Sequence, residues 1–322
     1  MHILFIIDPI EELAAYKDTS VSMMRACLAR GHRVSVCEMP DLYVQDKLVR
    51  TTSFPITIAT DADLHAANWW QSLGEKQSQV LSDFTAVIMR KDPPFDLEYG
   101  YATHLLDLAQ SQGAQVFNRG AAMRNHPEKL SILEFPQFTA PTMVSRRIAH
   151  LQSFYEQHED VVAKPLDGMG GDSIFRLRPG EVNRSVIFET LTRNEAETIM
   201  IQGYIPEISK GDKRVIIING QVVPYCLARI PLAGETRGNL AAGARGVAQP
   251  LGDAERQIAE HLAPILSARG LFLVGLDIIG DRLTEINVTS PTCFVEITEQ
   301  TDFNVPDFFI EELEKVVARH AS

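Results

Sequence analysis

The segment Gly275-Leu-Asp-Ile-Ile-Gly-Asp-Arg-Leu-Thr-Glu-Ile-Asn-Val-Thr-Ser-Pro-Thr292 constrains this chain more than any other. Polar and apolar residues alternate on both sides of Gly280-Asp281-Arg282, the pattern of a β-hairpin. Glu285 and Asn287 are two apart, so in a strand they share a face, while Ile286 and Val288 point into a core. Asp277 sits on the preceding strand. Hard oxygen donors converging from two strands suit Mg²⁺, with Mn²⁺ also admitted by such a set. The plainer alternative is two ordinary strands with one wet face, a face that more usually carries Lys or Thr. A two-residue turn at Gly280-Asp281 would set Asp277 opposite Thr284. For Asp277 to face Glu285, the turn has to be a three-residue loop, 280–282, or the strands have to carry a bulge.

Such a face needs another unit to close over it, and the chain is long enough to supply one. Its 322 residues exceed the size at which one core usually stops growing. Composition is that of an ordinary globular protein, 45% hydrophobic and 22% charged. Acidic residues outnumber basic ones 42 to 30, for a net charge of −12. That opposes nonspecific nucleic-acid binding, so a bound polyanion must meet a local basic pocket. Met1-His-Ile-Leu-Phe-Ile-Ile-Asp8 reads as a first strand and not as a signal peptide. No stretch approaches the apolar length of a membrane span. Cys27, Cys37, Cys226 and Cys293 form no C-x-x-C pair, and a cytoplasmic protein with reduced thiols is expected. The histidines show no zinc spacing.

The first third alternates strand and helix: strands at 3–7, 33–38, 85–89 and 114–117, and helices at 19–30 and 98–112. Asp18 can cap the first helix and Gly31 can end it. This alternation implies a parallel sheet whose ligands bind beyond the strand C-termini, where Asp8 and Arg90 lie. Residues 39–80 read as irregular. A new pattern starts near Arg124, with a short helix at 127–135, strands at 142–145, 161–164 and 173–177, and helices at 148–157 and 184–192. The last part has strands at 198–202 and 213–218, then an Asn219-Gly220 type I′ turn returning through 221–229. Residues 230–247 hold Gly234, Gly238, Gly243 and Gly246 and read as a long loop.

Lys164-Pro-Leu-Asp-Gly-Met-Gly-Gly171 puts a lysine at a strand end, directly before Gly168, Gly170 and Gly171. Glycines let backbone N–H groups approach phosphate oxygens, and the lysine adds a point charge. The order is not that of a P-loop, and a plain tight turn stays open. Arg90, Arg214, Arg229, Arg237 and Arg245 fall near loops or strand ends, where guanidinium forks suit carboxylates and phosphates. No nucleophile–base pair stands out, and Cys293 reads as a bystander thiol. Positioning and electrostatics, as in phosphoryl transfer, are what remains.

With Asn125-His-Pro-Glu-Lys-Leu130, Met89-Arg-Lys-Asp-Pro-Pro-Phe-Asp96, Val223-Pro-Tyr-Cys-Leu-Ala-Arg-Ile-Pro231 and Gly234-Glu-Thr-Arg-Gly-Asn-Leu-Ala-Ala-Gly243, these runs resemble the ATP-grasp superfamily, and within it the bacterial glutathione synthetases. The resemblance implies an α/β chain: a Rossmann-like (pre-ATP-grasp) N-terminal domain, 1–123, followed by an ATP-grasp fold of two α+β subdomains, 124–201 and 202–322. By family, Lys129, Lys164, Gly168, Gly170 and Gly171 contact the phosphates of ATP. Gln202, Gly203, Tyr204 and Ile205 frame the adenine, with Asp212 and Arg214 close by. Asp277, Glu285 and Asn287 hold Mg²⁺. Arg90 with Ser290, Pro291 and Thr292 seats γ-glutamylcysteine. Arg229, Arg237 and Asn239 contact the phosphate of an acyl phosphate, and 230–247 is a mobile lid. The implied reaction is ATP-dependent ligation of γ-glutamylcysteine to glycine, by a homotetramer in the cytoplasm. Two alternatives stay open on the residues: another carboxylate–amine ligase of the D-alanine or glutamate type, and a non-catalytic ATP-binding module.

Overall fold

The structure is a computed structural model and describes residues 1–168, 170–232, 238, 240 and 243–321. The N-terminal sheet contains β1 (His2–Ile7), β2 (Arg33–Glu38), β3 (Leu42–Gln45), β4 (Leu48–Thr57), β5 (Ser72–Leu73), β6 (Gln77–Val80), β7 (Ala86–Met89) and β8 (Val116–Phe117). Its order is β3-β4-β2-β1-β7-β8, with β5 and β6 paired to β4. β1 runs parallel to β2 and β7, and β7 parallel to β8. Ile3, Phe5 and Ile7 pack in one core with α1 (Thr19–Ala29), while Leu4 and Ile6 pack in another with α2 (Leu97–Ser111). A strand buried on both faces has no polar alternation to show, which is why β1 reads as an unbroken apolar run. Asp18 caps α1 by accepting from the Val21 amide at 2.8 Å.

Residues 39–80 are not irregular. β3 and β4 form a hairpin whose Asp46 and Lys47 both have positive φ, the backbone of a type I′ turn without its usual glycine. α3 (Gly120–Asn125) packs so closely on α2 that a Cβ at Gly120 would stand 2.2 Å from the Thr103 carbonyl oxygen. The helix expected at 127–135 is one short 3₁₀ segment, Leu130–Glu134, ended by Pro136.

The second sheet holds β9 (Thr142–Ser145), β10 (Val161–Pro165), β11 (Phe175–Leu177) and β12 (Ile199–Gly203), ordered β11-β10-β12-β9 and all antiparallel. α4 (Ile148–His158) and α5 (Arg184–Leu191) cover one face through Leu151, Phe154 and Phe188.

The third sheet holds β13 (Asp212–Ile218), β14 (Gln221–Ile230), β15 (Arg245–Pro250), β16 (Leu273–Ile279) and β17 (Arg282–Asn287), ordered β15-β14-β13-β16-β17. α6 (Asp253–Ala268) covers one side; α7 (Phe294–Gln300) and α8 (Val305–Ala321) join the core shared with α1. Asn219 and Gly220 both have positive φ, as the type I′ reading requires. The loop expected over 230–247 is shorter at its far end, since Arg245, Gly246 and Val247 pair with Ile230, Arg229 and Ala228. Asn118 stitches this sheet to the first. Its Oδ1 accepts from the Phe272 and Leu273 amides at 2.6 and 2.8 Å. Its Nδ2 donates to the Leu273 and Val288 carbonyl oxygens at 2.8 and 2.9 Å.

Candidate active site

β13, β14, β16 and β17 build one charged face by register alone. Asp212 lies opposite Arg229, Arg214 opposite Asp277, and Asp277 opposite Glu285. The turn Gly280-Asp281 has two residues, so the three-residue loop is not formed. A bulge at Thr284, between the Asp277–Glu285 and Ile278–Leu283 pairs, brings the carboxylates to the same face instead. Arg214 grips Asp277 with Nε to Oδ1 at 2.6 Å and Nη2 to Oδ2 at 3.1 Å. Arg229 Nη2 reaches Asp277 Oδ2 at 2.9 Å and Asp212 Oδ2 at 2.6 Å. Gly275 leaves the room for this: a Cβ there would stand 2.9 Å from both the Arg214 Cδ and the Pro291 Cβ.

Burial alone would raise the pKa of Asp277, but the two guanidiniums prevail and hold it far below the usual carboxylate range. Asp212 goes the other way, pushed up to about 7 by burial and by the neighbouring Asp277 and Glu285 against the pull of Arg229. Its Oδ1 is buried without a hydrogen-bond partner among the described residues.

Across the cleft stand Lys129, Lys164 and the glycine loop. Lys129 Nζ donates to the Gly168 carbonyl oxygen at 2.6 Å and lies 3.6 Å from Glu285 Oε1. Lys164, at the end of β10, is buried with only a 3.5 Å contact to the Thr284 carbonyl oxygen. Burial lowers its pKa, with Glu285 acting against the shift. Gly170 and Gly171 have left-handed φ of 67° and 81°, a region that favours glycine; Gly168 does not, and a Cβ there would meet nothing closer than 3.7 Å.

Two cavities meet at Asp277 and Glu285. The smaller, about 100 Å³, is lined by Lys164, Gln202, Gly203, Tyr204, Ile205 and Asp212. The other, about 220 Å³, is lined by Gly168, Gly170, Arg214, Arg229, Asn287, Ser290 and Thr292, and also by Glu128 and Cys293. Pro291 packs behind this wall on Gly275. Arg90 lies at the end of β7, 3% exposed, with Nε donating to Ser20 Oγ at 2.9 Å and Nη1 without a partner among the described residues. Arg245 starts β15 and is exposed, away from both cavities. Arg237 and Asn239, with residues 233–236, 241 and 242 of the expected lid, lie outside the described residues. Gly238 is described, and a Cβ on it would stand 2.7 Å from the Asp212 Cβ.

The oxygen set fits a divalent cation. A carboxylate offers about four lone-pair directions, and arginine contacts occupy three on Asp277. Among the described residues Glu285 is engaged only by the 3.6 Å approach of Lys129, and the Asn287 amide nitrogen donates to the Gly275 carbonyl oxygen, which leaves Oδ1 to the cavity. Among the described residues no group of three or more His, Cys, Asp and Glu side chains could hold a metal ion; a Mg²⁺ held by one or two carboxylates keeps waters and phosphate oxygens as its other ligands. Sequence reasoning missed Glu128. It is partly buried and accepts at Oε1 from the Val288 amide (2.9 Å), the Thr289 amide (3.2 Å) and Thr289 Oγ1 (2.8 Å). Burial raises its pKa despite these bonds. The only signal was its place beside Lys129.

Comparisons with known proteins give the fold and the family. The chain aligns with a D-cycloserine synthetase structure at TM-score 0.68, 16% identity, covering 98% of this chain and 99% of that one. It aligns with an ATP-grasp ligase complexed with a minimal precursor, Mg and ADP at TM-score 0.61 and 15% identity, covering 98% of each. The fold is thus that of the ATP-grasp ligases. Residues 1–124 match the N-terminal domain of prokaryotic glutathione synthetase, and residues 128–302 match its ATP-grasp domain. A glutathione synthetase of Bordetella parapertussis is 60% identical over 314 residues, 98% of this chain and 99% of that protein. One from Ralstonia nicotianae is 50% identical over 319 residues, 99% of this chain and 97% of that protein. The chain belongs to the prokaryotic glutathione synthetase family. Its activity is that of an ATP-dependent ligase making glutathione. That sets aside the D-alanine or glutamate ligase and the non-catalytic module. Among the described residues no helix is long and apolar enough to cross a membrane.

Proposed function

We propose that the paired cavities join γ-L-glutamyl-L-cysteine to glycine through an acyl phosphate, with ATP cleaved to ADP and phosphate. The observation that carries this reading is the position of Lys129, bonded to the glycine loop and 3.6 Å from Glu285. One cation there joins a phosphate cradle to an acidic hairpin. The cysteinyl carboxylate attacks the γ-phosphorus and ADP leaves. The glycine ammonium gives up one proton, its freed amine attacks the activated carbonyl, and phosphate departs as it takes the second proton that the new amide nitrogen sheds. Lys129, Lys164, Gly168, Gly170 and Gly171 receive the phosphates. Gln202, Gly203, Tyr204 and Ile205 border the adenine. The Gly203 and Tyr204 amides already donate to the Pro141 and Asp160 carbonyl oxygens, so among the described residues the Ile205 amide is the hinge donor left for the base.

Asp277, Glu285 and Asn287 would hold Mg²⁺, with Mn²⁺ the alternative; bound there, the cation supplies charge neutralisation for phosphate oxygens. Arg214 orients Asp277, and Arg229 ties Asp212 to the same carboxylate. Arg90, through its Nη1, and the segment Ser290, Pro291, Thr292 seat γ-glutamylcysteine. Arg237 and Asn239 would join Arg229 at the acyl phosphate, and residues 230–244 would shield it from water. The division into 1–123, 124–201 and 202–322, a homotetrameric assembly and a cytoplasmic location belong to the same proposal. A net charge of −12 gives nucleic acid no part in it. ADP release should need γ-glutamylcysteine, and sustained turnover should need glycine as well. Equal ADP release with glycine alone would refute the substrate assignment.

A further inference from the structure

We propose that Glu128 is the docking group for the ammonium of the incoming glycine. This rests on the ligation reading above and adds the acceptor site to it. Glu128 is a carboxyl group lining the 220 Å³ cavity, and among the described residues no cation is paired with it. All three of its hydrogen bonds converge on Oε1, from Val288 and Thr289. No described donor bonds Oε2. A carboxylate oriented by three donors on one oxygen and bare on the other is a fixed acceptor for a charge that the protein does not supply.

Its place decides which substrate brings that charge. Glu128 precedes Lys129, whose Nζ meets the glycine loop and Glu285. Its carbonyl oxygen accepts from the Ile286 amide at 2.9 Å, between Glu285 and Asn287 in sequence. An ammonium at Glu128 Oε2 therefore waits beside the phosphate end of the cleft, where the activated carboxyl forms. The α-ammonium of γ-glutamylcysteine lies at the far end of that dipeptide, many bonds from the reacting carboxyl. The glycine ammonium is the one that must come close.

Glu128→Gln separates docking from scaffolding. Its carbonyl oxygen can keep the three bonds that Oε1 receives, while the anion at Oε2 is lost. The KM for glycine should rise about 10- to 100-fold, the scale of one hydrogen bond to a charged group, with KM for ATP and γ-glutamylcysteine unchanged. Hydroxylamine, an uncharged amine at neutral pH, should still trap the acyl phosphate as a hydroxamate in this variant at the wild-type rate. Glu128→Ala, which also strips the donors of Val288 and Thr289, should add a loss of stability and raise all the KM values. An unchanged glycine KM in Glu128→Gln, or a fall in kcat with all KM values unchanged, overturns the proposal. Absence of hydroxamate from the wild-type enzyme would instead count against the acyl phosphate itself.

Discussion

The two walls of the cleft treat charge in opposite ways. On β13, β14 and β16 every charge is matched within the protein: Arg214 on Asp277, and Arg229 on both Asp277 and Asp212. On the facing wall Lys164 has, among the described residues, a single long contact to a carbonyl oxygen. The matched wall is scaffold, since its pairs fix side-chain positions whether or not substrate is present. The unmatched wall is incomplete without ligand, because buried charge is costly until something neutralises it. Removing a charge should therefore have opposite consequences for stability on the two sides.

The largest effect is expected on the matched wall. Asp277→Ala leaves two buried guanidiniums without their carboxylate and should cost about 3–5 kcal/mol in urea unfolding, with turnover lost. A stable, inactive Asp277→Ala protein would mean that the arginines find other partners and the wall is not a scaffold. Next is Glu285→Gln, at the border between the walls. It should keep the fold, because among the described residues Glu285 is only weakly paired, yet lower kcat at saturating Mg²⁺ by about 100-fold, the scale of one electrostatic group in an active site. A kcat near that of the wild type would remove Glu285 from the centre of the site.

The smallest effects distinguish glycines of one loop. Gly170→Ala forces a left-handed backbone on a residue with a Cβ and should cost about 1–2 kcal/mol, with weaker nucleotide binding. Gly168→Ala should change stability by less than about 0.5 kcal/mol, since its φ is ordinary and its surroundings leave room. Equal penalties for the two variants, read from thermal unfolding and nucleotide titration, would show that loop strain is not what selects glycine here.

The matched wall was the legible one. Its charges lie on regular strands with a period of two, so the relation of Asp277 to Glu285 and Asn287 follows from spacing plus one irregularity. Which irregularity was not decidable from spacing: the bulge falls at Thr284, an unremarkable residue. The bidentate grip of Arg214 on Asp277 was not legible either, because it depends on the pairing of β13 with β16, distant in sequence. β3 and β4 escaped notice because Asp46 and Lys47 turn the hairpin without glycine. β15 was hidden by the opposite cue, since Gly243 and Gly246 made a strand start look like loop. Glu128 carried no signal beyond its place beside Lys129; its three donors from Val288 and Thr289 single it out in the structure.

Lys164→Met tests the contrast between the walls most directly. Thermal unfolding is measured for wild type and variant, alone and with Mg²⁺, a non-hydrolysable ATP analogue and γ-glutamylcysteine. Without ligands, the variant should be at least as stable as the wild type, because a buried cation with one long contact is replaced by an apolar chain of similar length. With ligands, the wild type should gain several degrees and the variant little. If the variant is strongly destabilised when empty and still gains the full ligand shift, Lys164 is scaffold and the division of the cleft into a matched and an unmatched wall is wrong.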